Sequence, residues 1–254
     1  MFMKVVFHER YKEVYTSDPA AAFGRLESIV QELQDQYVFT EPAPAGEDDV
    51  KLVHQAEHIQ RMKQKTLIYE LAMLAAGGAI LASELAMQGE SAFGLIRPPG
   101  HHASPGSCWG FCWFNNVAIA VEKLRAAGRI KKALIVDFDL HYGDGTANIF
   151  ARIPEVVYYH GEGSHRQAFL DDLKRFLEFQ KNCDLVAVSA GFDRHEKDWG
   201  GLLKTEDYQT IGTLLRDYAR QTCQGKVFAV LEGGYNHDVL GKNVKSFLEG
   251  LRES

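Results

Sequence analysis

Short apolar segments that alternate with segments of helical patterning constrain the fold of this chain more than any other feature. Strands are predicted over residues 4–7, 92–96, 132–138, 156–159, 185–189 and 227–231. Helices are predicted over residues 19–36, 50–63, 66–88, 115–127, 146–151, 166–179, 205–223 and 238–252, with a loop over 41–49. Buried strands alternating with helices are typical of a parallel sheet. The predicted fold class is therefore α/β, with a mostly parallel sheet flanked by helices on both faces.

Length and composition bound the number of domains and the classes of partner. A chain of 254 residues with 46% hydrophobic residues can bury one large core, and a single domain over residues 1–254 is predicted. The formal net charge is −6 and no long basic run is present, which argues against nucleic acid as a partner. No signal peptide and no apolar stretch of membrane-spanning length is recognised, and the four cysteines lack CxxC spacing. We therefore expect a cytoplasmic protein with reduced thiols and no membrane partner.

The segment 134–145 carries the strongest chemical signal. Asp137, Asp139 and His141 are spaced two residues apart, so a strand would project them together at the edge of the sheet where ligands bind. Such a cluster is costly without a compensating cation, and a carboxylate and an imidazole can ligate one divalent metal. The alternative is solvated polarity at the strand end, with Asp144 capping the next helix. That alternative explains one acidic residue well and the whole cluster poorly.

Two other predicted strands end in polar residues at the same edge. Asp193 follows one of them, and taken alone it is more typical of a cap or a turn. Beside Asp139 and His141 it would complete three protein ligands, which is typical of catalytic zinc, and the oxygen-rich set also admits ferrous iron. Tyr235 follows the last strand and taken alone indicates a packed tyrosine after a glycine turn. Beside a metal, its phenol could donate to a developing oxyanion.

A histidine pair and an aromatic segment complete the set of candidate residues. His101 and His102 follow a Pro-Pro-Gly turn, and imidazoles can accept and return protons near neutral pH. By itself the pair is more often a surface accident, or a metal ligand beside a bystander. The segment 109–116 is rich in aromatic residues and precedes a predicted helix. These aromatic residues belong either to the core or to the wall of an apolar channel.

Together these segments resemble the histone deacetylase and acetylpolyamine amidohydrolase family, which has an arginase-like α/β fold. The matching motifs occur in the family's order: RPPGHHA (97–103), GFCWFNN (110–116), VDFDLHYGDGT (136–146), SAGFD (189–193) and LEGGYN (231–236). The resemblance implies that Asp139, His141 and Asp193 bind zinc, with ferrous iron possible. It also implies a structural potassium ion near the backbone of Asp137, Asp139 and His141.

The resemblance further implies roles for the remaining polar residues. His102, hydrogen-bonded to Asp144, would be the general base and later the general acid. His101, paired with Asp137, would stabilise charge or assist proton transfer. Tyr235 would polarise the acyl carbonyl opposite the metal.

Substrate-contacting residues are implied in the aromatic segment, where the carbonyl of Gly110 would receive the substrate's amide N–H and Phe111 would line a tunnel. The chain departs from the family pattern at Tyr142, where a histidine is common. Little room is left for a rim loop with an acidic gate over residues 58–77. The loop that normally supplies the second tunnel wall is replaced within residues 159–184, and no residue is assigned to that wall. A shallower and more open site is therefore predicted, unless a homo-oligomer rebuilds the wall.

The activity implied is that of a zinc-dependent amidohydrolase that removes acetyl or another short acyl group from a primary amine. The substrate would be an acylated polyamine, an acyl-lysine peptide or another small acylated amine. A catalytically silent, metal-containing sensor of acylated ligands is the alternative, although a sensor would have no need of both histidines and Tyr235. An arginase-like ureohydrolase is a weaker alternative, because that chemistry uses two metals and a richer set of Asp ligands.

Overall fold

The computed structural model describes residues 3–252, which form a seven-stranded sheet with strand order β2-β1-β3-β7-β6-β4-β5. Every pair of neighbouring strands in this sheet is parallel. The strands are β1 (Lys4–Val6), β2 (Val38–Thr40), β3 (Ala92–Gly94), β4 (Ala133–Asp137), β5 (Val156–His160), β6 (Leu185–Ala190) and β7 (Val227–Leu231). The predicted α/β class is confirmed, and the sheet is wholly rather than mostly parallel.

Helices cover both faces of this sheet. They are α1 (Arg25–Leu33), α2 (Glu47–Val50), α3 (Ala56–Lys63), α4 (Thr66–Met87), α5 (Asn116–Ala126), α6 (Asp144–Phe150), α7 (Arg166–Phe179), α8 (Thr205–Cys223) and α9 (His237–Leu251), with short 3-10 turns at Glu9–Lys12 and Pro19–Ala21. Helix α8 packs along α9, and α4 packs along α5. Strands β4, β6 and β7 are buried along their whole length, as expected for strands covered on both faces.

The predicted helix over residues 19–36 is wrong at its start. The 3-10 turn Pro19–Ala21 is followed by Gly24 with φ of 86°, and the α-helix begins only at Arg25. Asp18 makes no side-chain capping hydrogen bond within the described residues, because its Oδ2 accepts the hydroxyl of Thr16 at 2.8 Å. A short side-chain hydrogen bond thus occupies the carboxylate that could otherwise cap the helix.

Two other predicted boundaries differ from the structure. The predicted helix over residues 50–63 is helical only at Val50, the last residue of α2, and over α3. Between them the chain leaves the helix, where the His54 imidazole and the Gln55 N–H bond the carbonyls of Ser104 and Pro105. The predicted loop over 41–49 contains the first residues of α2. Strand β2 was not predicted, because it is a three-residue edge strand with no buried residue to mark it.

Helix α4 is the most apolar helix of the chain. The expectation that no apolar stretch reaches membrane-spanning length is wrong, since this 22-residue helix is long and apolar enough, with a mean hydropathy of 1.6. In the structure, 61% of the 18-residue apolar stretch of this helix is buried. The helix packs against β1, β3, β7 and α5, so its composition fits a core helix of this domain.

Four adjacent strands at the centre of the sheet position the candidate site. In the order β3, β7, β6 and β4, their carboxyl ends lead directly into the histidine, tyrosine, Asp193 and Asp139 segments. Motifs separated by more than a hundred residues in sequence therefore meet at one edge. That edge is where open parallel sheets bind their ligands.

Candidate functional site

Two carboxylates and one imidazole converge where β4 and β6 end. The donor atoms of Asp139, His141 and Asp193 all lie within 4.8 Å of one another. Nδ1 of His141 lies 3.3 Å from Oδ1 of Asp139 and 3.2 Å from Oδ2 of Asp193. Both carboxylates are buried, whereas the imidazole is partly exposed to the cleft above them. The structure thus brings together all three residues predicted as metal ligands.

The electrostatics of this group fit a bound cation. Oδ2 of Asp193 is buried and accepts no hydrogen bond from the described residues, which is costly for a carboxylate. Burial, reinforced by the neighbouring charge of Asp139, raises the pKa of Asp193 to about 6. The adjacent carboxylates of Asp139 and Asp193 raise the pKa of His141 to about 10. The two buried carboxylates need a positively charged partner. Together with the imidazole of His141 they place three donor atoms close together, and such a set can hold a divalent metal.

Backbone groups orient the two carboxylates. The N–H of Gly233 donates to Oδ2 of Asp139 at 2.8 Å, and the N–H of Leu140 donates to Oδ1 of Asp193 at 2.9 Å. A Cβ atom on Gly233 would lie 2.6 Å from Asp139 Oδ2 and 2.8 Å from Asp193 Oδ2. Position 233 therefore requires glycine, because any side chain would displace the candidate ligands.

The two histidines have different carboxylate partners. Nδ1 of His101 lies 3.0 Å from Oδ2 of Asp137, and Nδ1 of His102 lies 2.7 Å from Oδ1 of Asp144. Both imidazoles are buried, with ring centroids 4.1 Å apart. Burial opposes protonation of His101, but Asp139 and Asp137 outweigh it and raise its pKa well above 6.5.

His102 shifts in the opposite direction from its neighbour. Burial, together with the adjacent His101, lowers the pKa of His102 to about 4. The indole N–H of Trp109 also donates to Asp144, at 2.9 Å from Oδ2, and the indole ring lies 3.9 Å from the His102 imidazole. His102 is therefore neutral at pH 7 and able to accept a proton, while its partner carboxylate is fixed by a second donor.

Glu232 supports the loop that carries His101 and His102, and Arg25 supports the loop that carries Tyr235. Neither role was predicted from the sequence. The buried carboxylate of Glu232 accepts the N–H groups of Gly100 and His101 at 2.7 and 3.2 Å. The fully buried guanidinium of Arg25 donates to the carbonyls of Glu232 and Gly234 at 2.6 and 2.7 Å. Glu232 lies within the motif LEGGYN, whereas Arg25 lies outside all five motifs.

Tyr235 lies between two aromatic rings. Its ring centroid is 4.0 Å from that of Trp199, in a stacked arrangement, and 6.1 Å from that of Phe111, edge to face. The N–H of Tyr235 donates to Oδ2 of Asp198 at 2.8 Å, which anchors the tyrosine to the loop that carries Trp199. Burial raises the pKa of Tyr235, so the phenol keeps its proton and can act as a donor.

These residues line one cleft with a volume of about 120 Å³. Its lining consists of Pro99, His101, His102, Trp109, Gly110, Phe111, His141, Trp199, Gly233 and Tyr235. Gly110 and Phe111 both have left-handed backbone conformations, with φ of 57° and 65°. A Cβ atom on Gly110 would lie 2.5 Å from the His102 ring, so glycine is needed there. A strained conformation at Phe111 is typical of functional sites.

Trp199 forms the second aromatic wall that the sequence left unassigned. It stacks on Tyr235, its ring centroid lies 6.0 Å from that of His141, and it lines the same cleft as Phe111. Trp199 belongs to the loop after β6, not to residues 159–184, where the wall was sought. One chain therefore supplies walls on both sides. Trp109 and Trp199 are 55% and 53% exposed, so the mouth of the cleft is open.

The regions of this chain that match known proteins include the strand-end motifs described above. The chain matches the family model of the histone deacetylase domain over residues 20–169 and 159–251. A probable deacetylase of Methanothermobacter thermautotrophicus is 30% identical, over 90% of this chain and 84% of its own length. The histone deacetylase-like amidohydrolase of Pseudomonas aeruginosa is 28% identical, over 83% of this chain and 70% of its own. The crystal structure of the HDA15 HD domain matches with a TM-score of 0.83 and 25% identity, covering 98% of this chain and 89% of that one.

Proposed function

Because the chain belongs to the histone deacetylase family, we propose that it is a zinc-dependent deacetylase acting on an acetylated or short-acylated primary amine. The observation that carries the proposal is the shared cleft. A three-donor metal group, a carboxylate-paired neutral histidine and a protonated tyrosine all border the same small volume. Metal-assisted amide hydrolysis uses a metal, a proton-transfer group and an oxyanion donor, whereas a binding protein needs neither of the last two.

Asp139, His141 and Asp193 would hold the metal. Three protein ligands leave a position open for water or substrate, as in catalytic zinc sites. A bound zinc ion would lower the pKa of a bound water and polarise the acyl carbonyl. Because two of the three donors are carboxylates, ferrous iron is the competing metal. The backbone donors from Gly233 and Leu140 keep the carboxylates oriented toward this position.

His102 would transfer the proton. With Nδ1–H donated to Asp144, Nε2 is left to accept a proton from the attacking water and return it to the leaving amine. The raised pKa of His101 keeps that ring positively charged beside Asp137, where it offsets buried negative charge. The Tyr235 hydroxyl would donate to the carbonyl oxygen as negative charge develops on it. Gly110 and Phe111 border the cleft where the amide N–H and the adjoining methylenes would lie.

The dimensions of the cleft favour a small acyl group. A volume of about 120 Å³ holds several groups the size of a water molecule, since one such group needs roughly 10–15 Å³ of this kind of space. That is enough for an acetyl group and the first methylenes of its amine, held between Phe111 and Trp199. The open mouth would admit either a lysine side chain on a peptide or an acetylated polyamine.

A substrate and metal screen tests the proposal. The metal-free protein is loaded with zinc or ferrous iron and assayed on an acetyl-lysine peptide, acetylated polyamines and longer acyl-lysine analogues. We expect hydrolysis of at least one acetylated amine, abolished in His102→Ala and retained in His165→Ala, which changes an exposed histidine that does not line the cleft. If neither metal supports hydrolysis of any acyl amide, and His102→Ala still binds acylated ligands, the sensor alternative replaces this proposal.

A further inference from the structure

Arg194 directly follows Asp193 in the chain. Its guanidinium contacts backbone carbonyls next to the metal group, which consists of Asp139, His141 and Asp193. Its Nε donates to the carbonyls of Phe138 and Asp139 at 3.1 and 3.0 Å, and its Nη2 donates to the carbonyl of Gly161 at 2.8 Å. The side chain is only 6% exposed. The guanidinium also lies 4.9 Å from the ring centroid of Phe169. The buried guanidinium of Arg194 is thus hydrogen-bonded to backbone carbonyl oxygens next to the candidate metal ligands.

The same backbone is where a structural potassium ion was expected, and the residues present do not fit one. The carbonyl of Asp139 accepts Arg194 Nε and also lies 2.9 Å from His160 Nε2, which itself lies 3.1 Å from Arg194 Nη2. The carbonyl of Asp137 accepts the N–H of Gly161 at 3.0 Å. A potassium ion at this backbone would have to compete with the covalently attached Arg194 guanidinium and with the Gly161 N–H for these oxygens.

From this arrangement we infer that Arg194 replaces a structural potassium ion, so that this protein needs no monovalent cation behind its metal group. A guanidinium carries the same unit charge as potassium and aims fixed N–H donors at oxygen acceptors. Unlike an ion, it is covalently attached and cannot dissociate. Its charge also lies near the strand ends that carry the buried carboxylates of Asp137, Asp139 and Asp193.

The role of Arg194 is to position other groups rather than to contact substrate. Through the carbonyls of residues 138 and 139 it fixes the end of β4, which leads to His141. Its own carbonyl accepts the N–H groups of Leu202 and Leu203 at 2.9 and 2.8 Å. These bonds close the loop that carries Trp199. Arg194 therefore ties the metal group, β5 and the cleft wall to one buried side chain.

The test compares thermal stability and peptide deacetylation of the metal-loaded chain in KCl, NaCl and choline chloride at equal ionic strength. The parent protein is expected to give the same Tm in all three salts, and the same activity within about twofold, because a covalent cation has no mass-action dependence. A Tm or an activity of the parent that rises selectively with KCl would overturn the inference. The Tm does not depend on the proposed deacetylation, so failure of one proposal is distinguishable from failure of the other.

Arg194→Ala is expected to create a potassium requirement. In choline chloride its Tm should fall by on the order of 10 °C, because buried acceptors lose a charged donor. KCl should raise the Tm and restore activity more than NaCl does. A folded Arg194→Ala protein with no selectivity for potassium contradicts the inference.

Two further variants keep the test decisive. Arg97→Ala removes another buried arginine, which donates to the carbonyls of Ala22 and Glu13 at 2.9 and 3.0 Å, away from β4. It should lose stability without any selective response to potassium, and a response equal to that of Arg194→Ala would refute the assignment. If Arg194→Ala does not fold in any salt, Arg194→Lys keeps the charge and should fold without potassium. A potassium requirement in Arg194→Lys would refute charge replacement.

Discussion

His54 makes the stability of this protein depend on pH in a way that can be measured. Its imidazole is 4% exposed and lies between two groups with fixed roles. The carbonyl of Ser104, 3.0 Å from Nδ1, only accepts, whereas the N–H of Asn115, 2.9 Å from Nε2, only donates. His54 must therefore be neutral, with its proton on Nδ1. Protonation of Nε2 would break the bond to Asn115, which caps helix α5 and donates to the carbonyl of Ala103 beside His102.

The size of the effect follows from the pKa shift. Burial, with the neighbouring His58, lowers the pKa of His54 from 6.5 to about 3. The unfolded chain therefore binds a proton that the folded chain excludes, so the stabilisation is complete above pH 6.5 and is lost as the pH falls toward 3. Within this window each unit of acidification lowers the free energy of unfolding by about 1.4 kcal/mol. The loss between pH 7 and pH 5 is about 2 kcal/mol. The full shift corresponds to an upper limit of about 5 kcal/mol.

Urea denaturation from pH 8 to pH 5 measures this contribution. His54→Gln keeps an amide donor and acceptor that do not titrate in this range, so the variant should be less stable at pH 7 but lose about 2 kcal/mol less than the parent on acidification. His165→Gln, which changes an exposed histidine, should keep the parent's slope. If His54→Gln shows the same dependence of unfolding free energy on pH as the parent, His54 is not the neutral buried group described above.

Three other predictions concern the cleft. Tyr235→Phe should lower kcat by about 10²-fold with unchanged zinc content by elemental analysis, because one oxyanion donor is lost; loss of zinc would mean that the tyrosine supports the metal group instead. Trp199→Ala should raise KM for acetyl substrates by roughly tenfold and relax selection against longer acyl chains, since it removes one wall; an unchanged acyl-length profile would refute this role. Chelation of the metal should lower Tm by several degrees (roughly 4 °C or more), reversibly on adding zinc, because ligand binding stabilises the folded state; an unchanged Tm would refute a metal held by Asp139.

The strand-end chemistry was predictable from sequence because it is encoded locally. Although β4 ends at Asp137, short local hydrogen bonds link residues 137, 139 and 141, because the N–H groups of Asp139 and His141 donate to Oδ1 of Asp137 and Oδ1 of Asp139. The glycine turn before Tyr235 marks a close backbone approach. The parallel sheet followed from the alternation of apolar strands with helices, and the structure confirms that fold class. Element boundaries were less predictable, since the break at His54 depends on carbonyls that lie fifty residues away.

The sequence by itself determined the fold class, the family and the residues that can carry the chemistry, because each is written in short segments with their own periodicity or motif. Only the tertiary structure decided which side chains support those residues. Trp199 completes the cleft because the loop after β6 folds back over Tyr235, and Arg194 reaches the carbonyls that follow β4 because β6 lies next to β4 in the sheet. Such contacts depend on strand order and loop closure, which no local pattern specifies.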